Sequence, residues 1–176
     1  GYLAEFLLAR GYEVHGAVRA TSAPERGPLA PVLERIRWHR LELTDASQTR
    51  ALFEREAFDE VYHLAGQTSV PRSFEDPAGT IETQGIATLR LLEATRSCAA
   101  RPRFFHASSA QIFGQPEREP QDESTPVRPV NPYGVAKALA TDLCRIYREA
   151  HGLHVVNGIL YNHESTRRGA NFVTGK

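Results

Sequence analysis

The chain has no excess charge of either sign: 21 Lys and Arg side chains offset 21 Asp and Glu over 176 residues. No basic run stands out, so a nucleic-acid or membrane-surface role has no electrostatic support. Cysteine is scarce as well. Cys98 and Cys144 stand alone, with no metal-ligand spacing and no secretory leader, and they read as reduced cytosolic thiols filling a core rather than as metal ligands. No apolar stretch approaches the roughly 18 residues needed to span a bilayer. Internal repeats and low-complexity segments are absent too. What remains is a soluble, cytoplasmic globular chain, long enough for one domain with a sizeable core.

Apolar runs and helical periods alternate along it. Leu3, Phe6 and Leu7 mark a helix face that stops near Gly11. Val14 to Val18 is a strand, Thr21 to Pro31 a polar loop, and Arg37 to Leu43 a second strand. A helix follows from about Ala46 to Glu56, with Asp45 able to cap it. Glu60 to Leu64 reads as a strand, and Ile81, Gly85, Leu89 and Leu92 line one face of a long helix ending near Arg96. Arg103 to Ala107 is the next strand, Gln115 to Pro132 a proline-rich loop, and Val155 to Leu160 the last strand. Before it, Asn131 and Pro132 suit the N-cap and first position of a helix that runs to about Ala150.

This alternation implies parallel βαβ units and a doubly wound, Rossmann-like parallel sheet. Such a sheet normally begins with a strand and a glycine-rich turn that places phosphate on a helix N-terminus. Here the first element is a helix, and only Gly1 stands where that turn would end. The expectation is a partial NAD(P)-binding domain over residues 1–176, cut before the first strand and before a smaller substrate domain that begins at 161–176.

In an open parallel sheet, ligands sit at the carboxyl ends of the strands. Four segments fall there. Arg19, with Thr21 and Ser22, suits the 2'-phosphate of NADP, or is a solvated loop arginine. Glu42 and Leu43 could hold an adenine through a carboxylate and a backbone amide, beside Asp45 as a helix cap. Leu64, Ala65, Gly66, Gln67 and Thr68 let backbone approach a ligand, or form an ordinary loop. Ser109 offers a hydroxyl about 25 residues before Tyr133. Tyr133 and Lys137, four apart, share a helix face, so the ammonium is expected to lower the phenol pKa and prepare it for proton exchange. Each feature is weak by itself. Serine after one strand, then tyrosine and lysine four apart on the next helix, is the joint pattern that resembles the short-chain dehydrogenases/reductases, in their extended nucleotide-sugar branch.

The segment Val156-Asn157-Gly158-Ile159-Leu160-Tyr161-Asn162-His163-Glu164-Ser165-Thr166-Arg167-Arg168-Gly169, followed by Asn171-Phe172-Val173-Thr174, narrows the resemblance to the GDP-mannose 4,6-dehydratase family. Thr166 replaces that family's proline, and Gly175 its arginine. The likeness covers essentially the whole chain. It implies NADP as cofactor, GDP-mannose as substrate, and a homodimer or homotetramer. By position, Ser109 takes the hydroxyl role, Tyr133 is the base for the sugar 4-hydroxyl, and Lys137 tunes it while holding the nicotinamide ribose. His163 and Arg168 fall on cofactor positions beside those already named, and Asn162 and Lys176 fall where the diphosphate is gripped. The implied reaction oxidises C4, removes the C5 proton so that the 6-hydroxyl leaves as water, and returns the stored hydride to C6.

One departure bears on the chemistry. The family's C5 base is a carboxylate two residues beyond the serine position, where this chain has Gln111. An amide cannot accept a proton near neutral pH, so a general-base contribution of roughly 10²–10⁴-fold is expected to be lost. Three readings stay open: a dehydratase with another group covering for Gln111, a nucleotide-sugar 4-epimerase or 4-reductase, and a weakened homologue that binds without turnover. Ala20, Glu42 and Gly79 are milder departures, standing where the family often has arginine, aspartate and tyrosine.

Overall fold

The computed structural model describes residues 1–21 and 29–167, in two units, Gly1–Asp45 with His163–Lys176 and Ala46–Asn162. In the first unit, α1 (Tyr2–Ala9) leads into β1 (Val14–Val18), and a 3-10 turn at Ala30–Arg35 leads into β2 (Ile36–Arg40). The two strands pair in parallel, Val14 opposite Ile36 through Val18 opposite Arg40. Their core joins Leu8, Val32 and Ile36, with Ala4, Val14, Leu29 and Trp38 packed against them. The inward face of α1 therefore carries Ala4 and Leu8, not the expected Leu3, Phe6 and Leu7. Phe6 is 53% exposed, and the Arg10 guanidinium sits 4.6 Å from its ring centroid. A helix of two turns is placed by the pair that meets its neighbours, and an i, i+4 pair suffices. Arg167 returns to the same helix as a fork onto Glu5, with N–O distances of 2.5 and 3.1 Å.

The second unit holds α2 (Ala46–Arg55), β3 (Glu60–His63), α3 (Val70–Glu75), α4 (Pro77–Ile81), α5 (Ala87–Ser97), β4 (Arg103–Ala107), α6 (Pro132–His151) and β5 (Val155–Gly158). Its sheet has the order β3-β4-β5, all parallel. The expected long helix from Ile81 is interrupted by a π-helical turn at Glu82–Ile86, which shifts the phase of every later residue. As a result α5 buries Thr88, Leu91, Leu92 and Thr95, and Leu89 is only half-buried. The two threonine hydroxyls donate back to the Gln84 and Leu91 carbonyls at 2.5 and 2.8 Å, so neither is left unpaired in the core. Strands end earlier than their apolar runs: β2 at Arg40, β3 at His63 and β5 at Gly158. The residues beyond those ends are therefore loop.

The inward stripe of α6 is Tyr133, Gly134, Ala136, Lys137, Ala140, Cys144 and Tyr147, the three-to-four spacing of an amphipathic helix. Ala136, Ala140 and Cys144 are fully buried, and such small side chains let the helix lie close to its neighbours. Across the helix pair, the Tyr147 hydroxyl donates to the Glu93 carboxylate. Glu93 is held down at about 2, first by Arg96 and then by Tyr147. None of the described helices is long and apolar enough to cross a membrane.

Two core residues carry a pH dependence. His63 and His106 are buried side by side on β3 and β4. Burial, and then the charge of Lys137, lowers His63 from 6.5 to about 4 and His106 to about 2. Below 6.5 the unfolded chain takes up protons that the folded chain refuses, so stability falls with pH across 6.5 to 4. Each ring contributes a slope approaching about 1.4 kcal/mol per pH unit. Urea denaturation should show this loss, and His106→Gln should roughly halve it. A flat stability between pH 6.5 and 4.5 would contradict the burial argument.

Candidate functional site

In each sheet the loops that follow the strands leave from one edge, because the strands are parallel. At the three-stranded sheet those loops carry Leu64–Thr68, Ser108–Ile112 and the stretch to Asn162. At the two-stranded sheet they carry Arg19 and Thr21 after β1, and Glu42 and Leu43 after β2.

The start of α6 is built by Asn131. Its side chain accepts from the Gly134 amide at 2.8 Å as an N-cap, and Pro132 supplies a first residue that needs no donor. The same amide group donates from Nδ2 to Gln111 Oε1 at 2.9 Å. Sequence identifies the cap but not this second bond, which joins loops 20 residues apart. Ser109 caps the 3-10 turn at Ala110–Ile112, accepting from the Gln111 amide at 3.2 Å. Gly134 lets that turn approach: a Cβ there would lie 2.5 Å from the Gln111 carbonyl oxygen. Ser109 and Gln111 are thereby brought to the start of α6, where the Ser109 hydroxyl bears on the Tyr133 phenol.

Lys137 is 4% exposed. Its Nζ donates to the Ala107 carbonyl at 2.7 Å and lies 5.8 Å from the Tyr133 ring centroid. Burial lowers its pKa from 10.5 to about 8, so it remains largely charged near neutrality. The phenol behaves differently from the sequence expectation. Burial raises the Tyr133 pKa, and the opposing influence is the Ser109 hydroxyl, not Lys137. Four-residue spacing establishes a shared face, but desolvation depends on what covers that face. Tyr133 is thus a protonated phenol in this structure.

Behind these residues the sheet is stitched to α6. Thr141 donates to the Lys137 carbonyl at 2.8 Å, which leaves its oxygen to accept from Ser108 at 2.7 Å. Neither residue carried a sequence signal of its own. In the loop after β3, Gln84 from the π turn donates to the Gln67 carbonyl at 2.5 Å. Gly66 takes φ 134°, and a Cβ there would fall 2.3 Å from Gln84 Nε2. Leu64, Ala65 and Thr68 are exposed around it. The loop presents bare backbone at the sheet edge.

In the first unit, Arg19 and Thr21 are exposed. Arg40 Nη1 donates to the Ala20 carbonyl at 2.7 Å and holds the turn they lie on. The Glu42 carboxylate accepts from the Thr44 hydroxyl at 3.1 Å within its own loop, and Leu43 beside it is half-buried. Asn162 and His163 are exposed, the former in the second unit and the latter in the first. Ser22, Arg168 and Lys176 lie outside the described residues.

Two variants test the Asn131 junction. Asn131→Ala should cost about 1–2 kcal/mol in urea denaturation, through the lost cap and the freed Gln111. Asn131→Asp keeps the cap acceptor and should cost clearly less. Equal losses would mean that the cap is not what Asn131 contributes.

The family model for GDP-mannose 4,6 dehydratase matches residues 1–176. The human GDP-mannose 4,6 dehydratase is 42% identical over 185 residues, covering 99% of this chain and 50% of that protein. That of Vibrio cholerae is 41% identical over 184 residues, covering 99% and 50%. The chain thus spans about half the length of these relatives. Among solved structures, the dTDP-glucose 4,6-dehydratase DesIV of Streptomyces venezuelae, with NAD and TYD bound, superposes with TM-score 0.87 at 25% identity over 99% of this chain and 56% of that one. RMD of Pseudomonas aeruginosa complexed with NADPH gives TM-score 0.73 at 29% identity, over 98% and 54%. Parallel strands with helices, a serine at a strand exit, a tyrosine and lysine one turn apart on the next helix, and a match along the whole chain lead to one assignment: the chain belongs to the GDP-mannose 4,6-dehydratase family.

Proposed function

We propose that the protein carrying this chain acts on GDP-mannose and converts it to GDP-4-keto-6-deoxymannose, with NADP as a tightly held cofactor. The observation that carries this reading is the placement of Tyr133 and the buried Lys137 one turn apart at the start of α6, against the turn that carries Ser109 and Gln111, in a member of that family. A homodimer or homotetramer in the cytoplasm belongs to the same reading.

The residues present suit a nicotinamide dinucleotide. The Leu64–Thr68 loop offers close backbone approach at Gly66, where a side chain would collide with Gln84. Lys137 spends one of its three N–H donors on Ala107, which leaves donors suited to ribose hydroxyls. Arg19 and Thr21 suit a 2'-phosphate, with Ser22 beside them, and this favours NADP over NAD. Glu42, Leu43, His163 and Arg168 complete the assignment, and Asn162 and Lys176 are assigned to the diphosphate. The chemistry the cofactor supplies when bound is reversible two-electron exchange with the sugar.

Tyr133 exchanges a proton with the sugar 4-oxygen, and Ser109 steadies both partners. A phenol kept protonated by burial must be drawn towards ionisation when it acts as a base. Lys137 is the fixed positive charge available for this, because at a pKa of about 8 it remains largely protonated at neutral pH. Gln111 is the weak member. Its carbonyl is taken by Asn131, and an amide cannot remove the C5 proton. That bond keeps a second reading in view: exchange at C4 alone, as in a 4-epimerase or 4-reductase, or binding without turnover.

Gln111→Glu in the whole protein should raise dehydration of GDP-mannose by more than about tenfold, within the range of a restored general base. An unchanged rate would show that Gln111 does not limit the reaction. Turnover in deuterated water should place deuterium at C5 with loss of the 6-hydroxyl. C4 exchange without C5 label would support the second reading, and a thermal shift with GDP-mannose but no product would support binding alone.

A further inference from the structure

Five buried side-chain polar atoms among the described residues have no hydrogen-bond partner: His63 Nε2, Gln84 Oε1, His106 Nδ1 and Nε2, and Asn157 Oδ1. They are not scattered. The strand register pairs His63 with His106, and His106 with Asn157, so these three residues form one row across the sheet. The two rings lie 5.6 Å apart between centroids. Asn157 Nδ2 donates to the Thr141 carbonyl on α6 at 3.3 Å, one turn beyond Lys137. Gln84, fully buried, bonds the carbonyl of Gln67 in the loop that leaves β3 just after His63.

Leaving a buried polar atom unpaired is costly, and five such costs together are comparable to the whole stability of an ordinary domain. Internal water bonded to two or more of them removes most of that cost, and a polar-walled pocket is where such water resides. Lys137 gives the row a use. Its ammonium has two donors beyond the one on Ala107, and its charge reaches both rings. A neutral imidazole keeps one nitrogen as an acceptor. The titratable groups that bear on Lys137 are Tyr133 and Cys144 from α6, His63 from β3 and His106 from β4. The π turn, α5 and β5 present Gln84, Thr88 and Asn157, all uncharged, and no carboxylate contributes to the shift at Lys137.

We propose that His63, His106, Gln84 and Asn157 enclose an internal water site behind Lys137, and that His106, accepting through that water, is a positioning residue that keeps the Lys137 ammonium charged and seated on the Ala107 carbonyl. His106 touches neither substrate nor cofactor in this role. It acts on the site only through Lys137.

Two measurements on the whole protein test this. A high-resolution crystal structure of the wild type should show ordered water within about 2.7–3.2 Å of a His106 ring nitrogen, bonded onward to Lys137 Nζ or Asn157 Oδ1. A dry pocket overturns the proposal whatever any variant does. Lys137 titration, followed by NMR of isotope-labelled lysine, should move down by about 0.5 pH unit or more in His106→Leu, as an acceptor of the charged form is lost. His106→Gln, which keeps an acceptor, should restore most of that shift. An unchanged midpoint in His106→Leu, or a fall that His106→Gln does not repair, overturns the positioning role. Where His106→Leu does not fold, the wild-type water density decides.

Discussion

Lys137 donates from a buried ammonium to the carbonyl of Ala107, the last residue of β4, and the second unit is arranged around that bond. Taking an ammonium out of water is costly unless it is paired. Here no carboxylate pays that cost, so the lysine relies on oriented dipoles and keeps a pKa of about 8. The consequence runs in both directions. The bond fixes the register of α6 against the strand end, and that register places Tyr133 beside Ser109. The unneutralised charge in turn helps keep His63 and His106 neutral. Structure and proton chemistry share one constraint.

Local signals in the sequence specify much of this. Asn131 and Pro132 mark the start of α6, and Val14–Val18 and Arg103–Ala107 are strands with the expected ends, because capping chemistry and period-two apolar runs act within a few residues. The π turn at Glu82–Ile86 was not legible. Its extra residue rotates the helix so that Gln84 and Thr88 face inward, and apolar periodicity assumes the rotation never changes. The histidine row was hidden for a different reason. Val61-Tyr62-His63 ends β3 and Phe104-Phe105-His106 stops one residue short of the end of β4, but only strand pairing turns that likeness into a contact. The direction of the Tyr133 shift was misjudged because spacing reports proximity and says nothing of desolvation, which here prevails.

Position 111 separates shape from reactivity. Asn131 Nδ2 donates to Gln111 Oε1, and a glutamate of the same length offers an oxygen to the same donor. Gly134, whose missing Cβ lets the turn approach, serves either side chain alike because the contact is to the backbone carbonyl. The junction therefore holds its form with amide or acid. What changes is whether the side chain keeps a free lone pair able to take a proton, since Asn131 occupies one oxygen in both cases. Glutamate would keep a second oxygen free and charged. Glutamine has an NH2 group there, a donor where the proposed C5 proton transfer needs an acceptor. Ser109 and Tyr133, the pair assigned to C4 in the proposed function, do not share this bond. Under the proposed function, exchange at C4 is independent of residue 111, and elimination at C5 depends on one of its atoms.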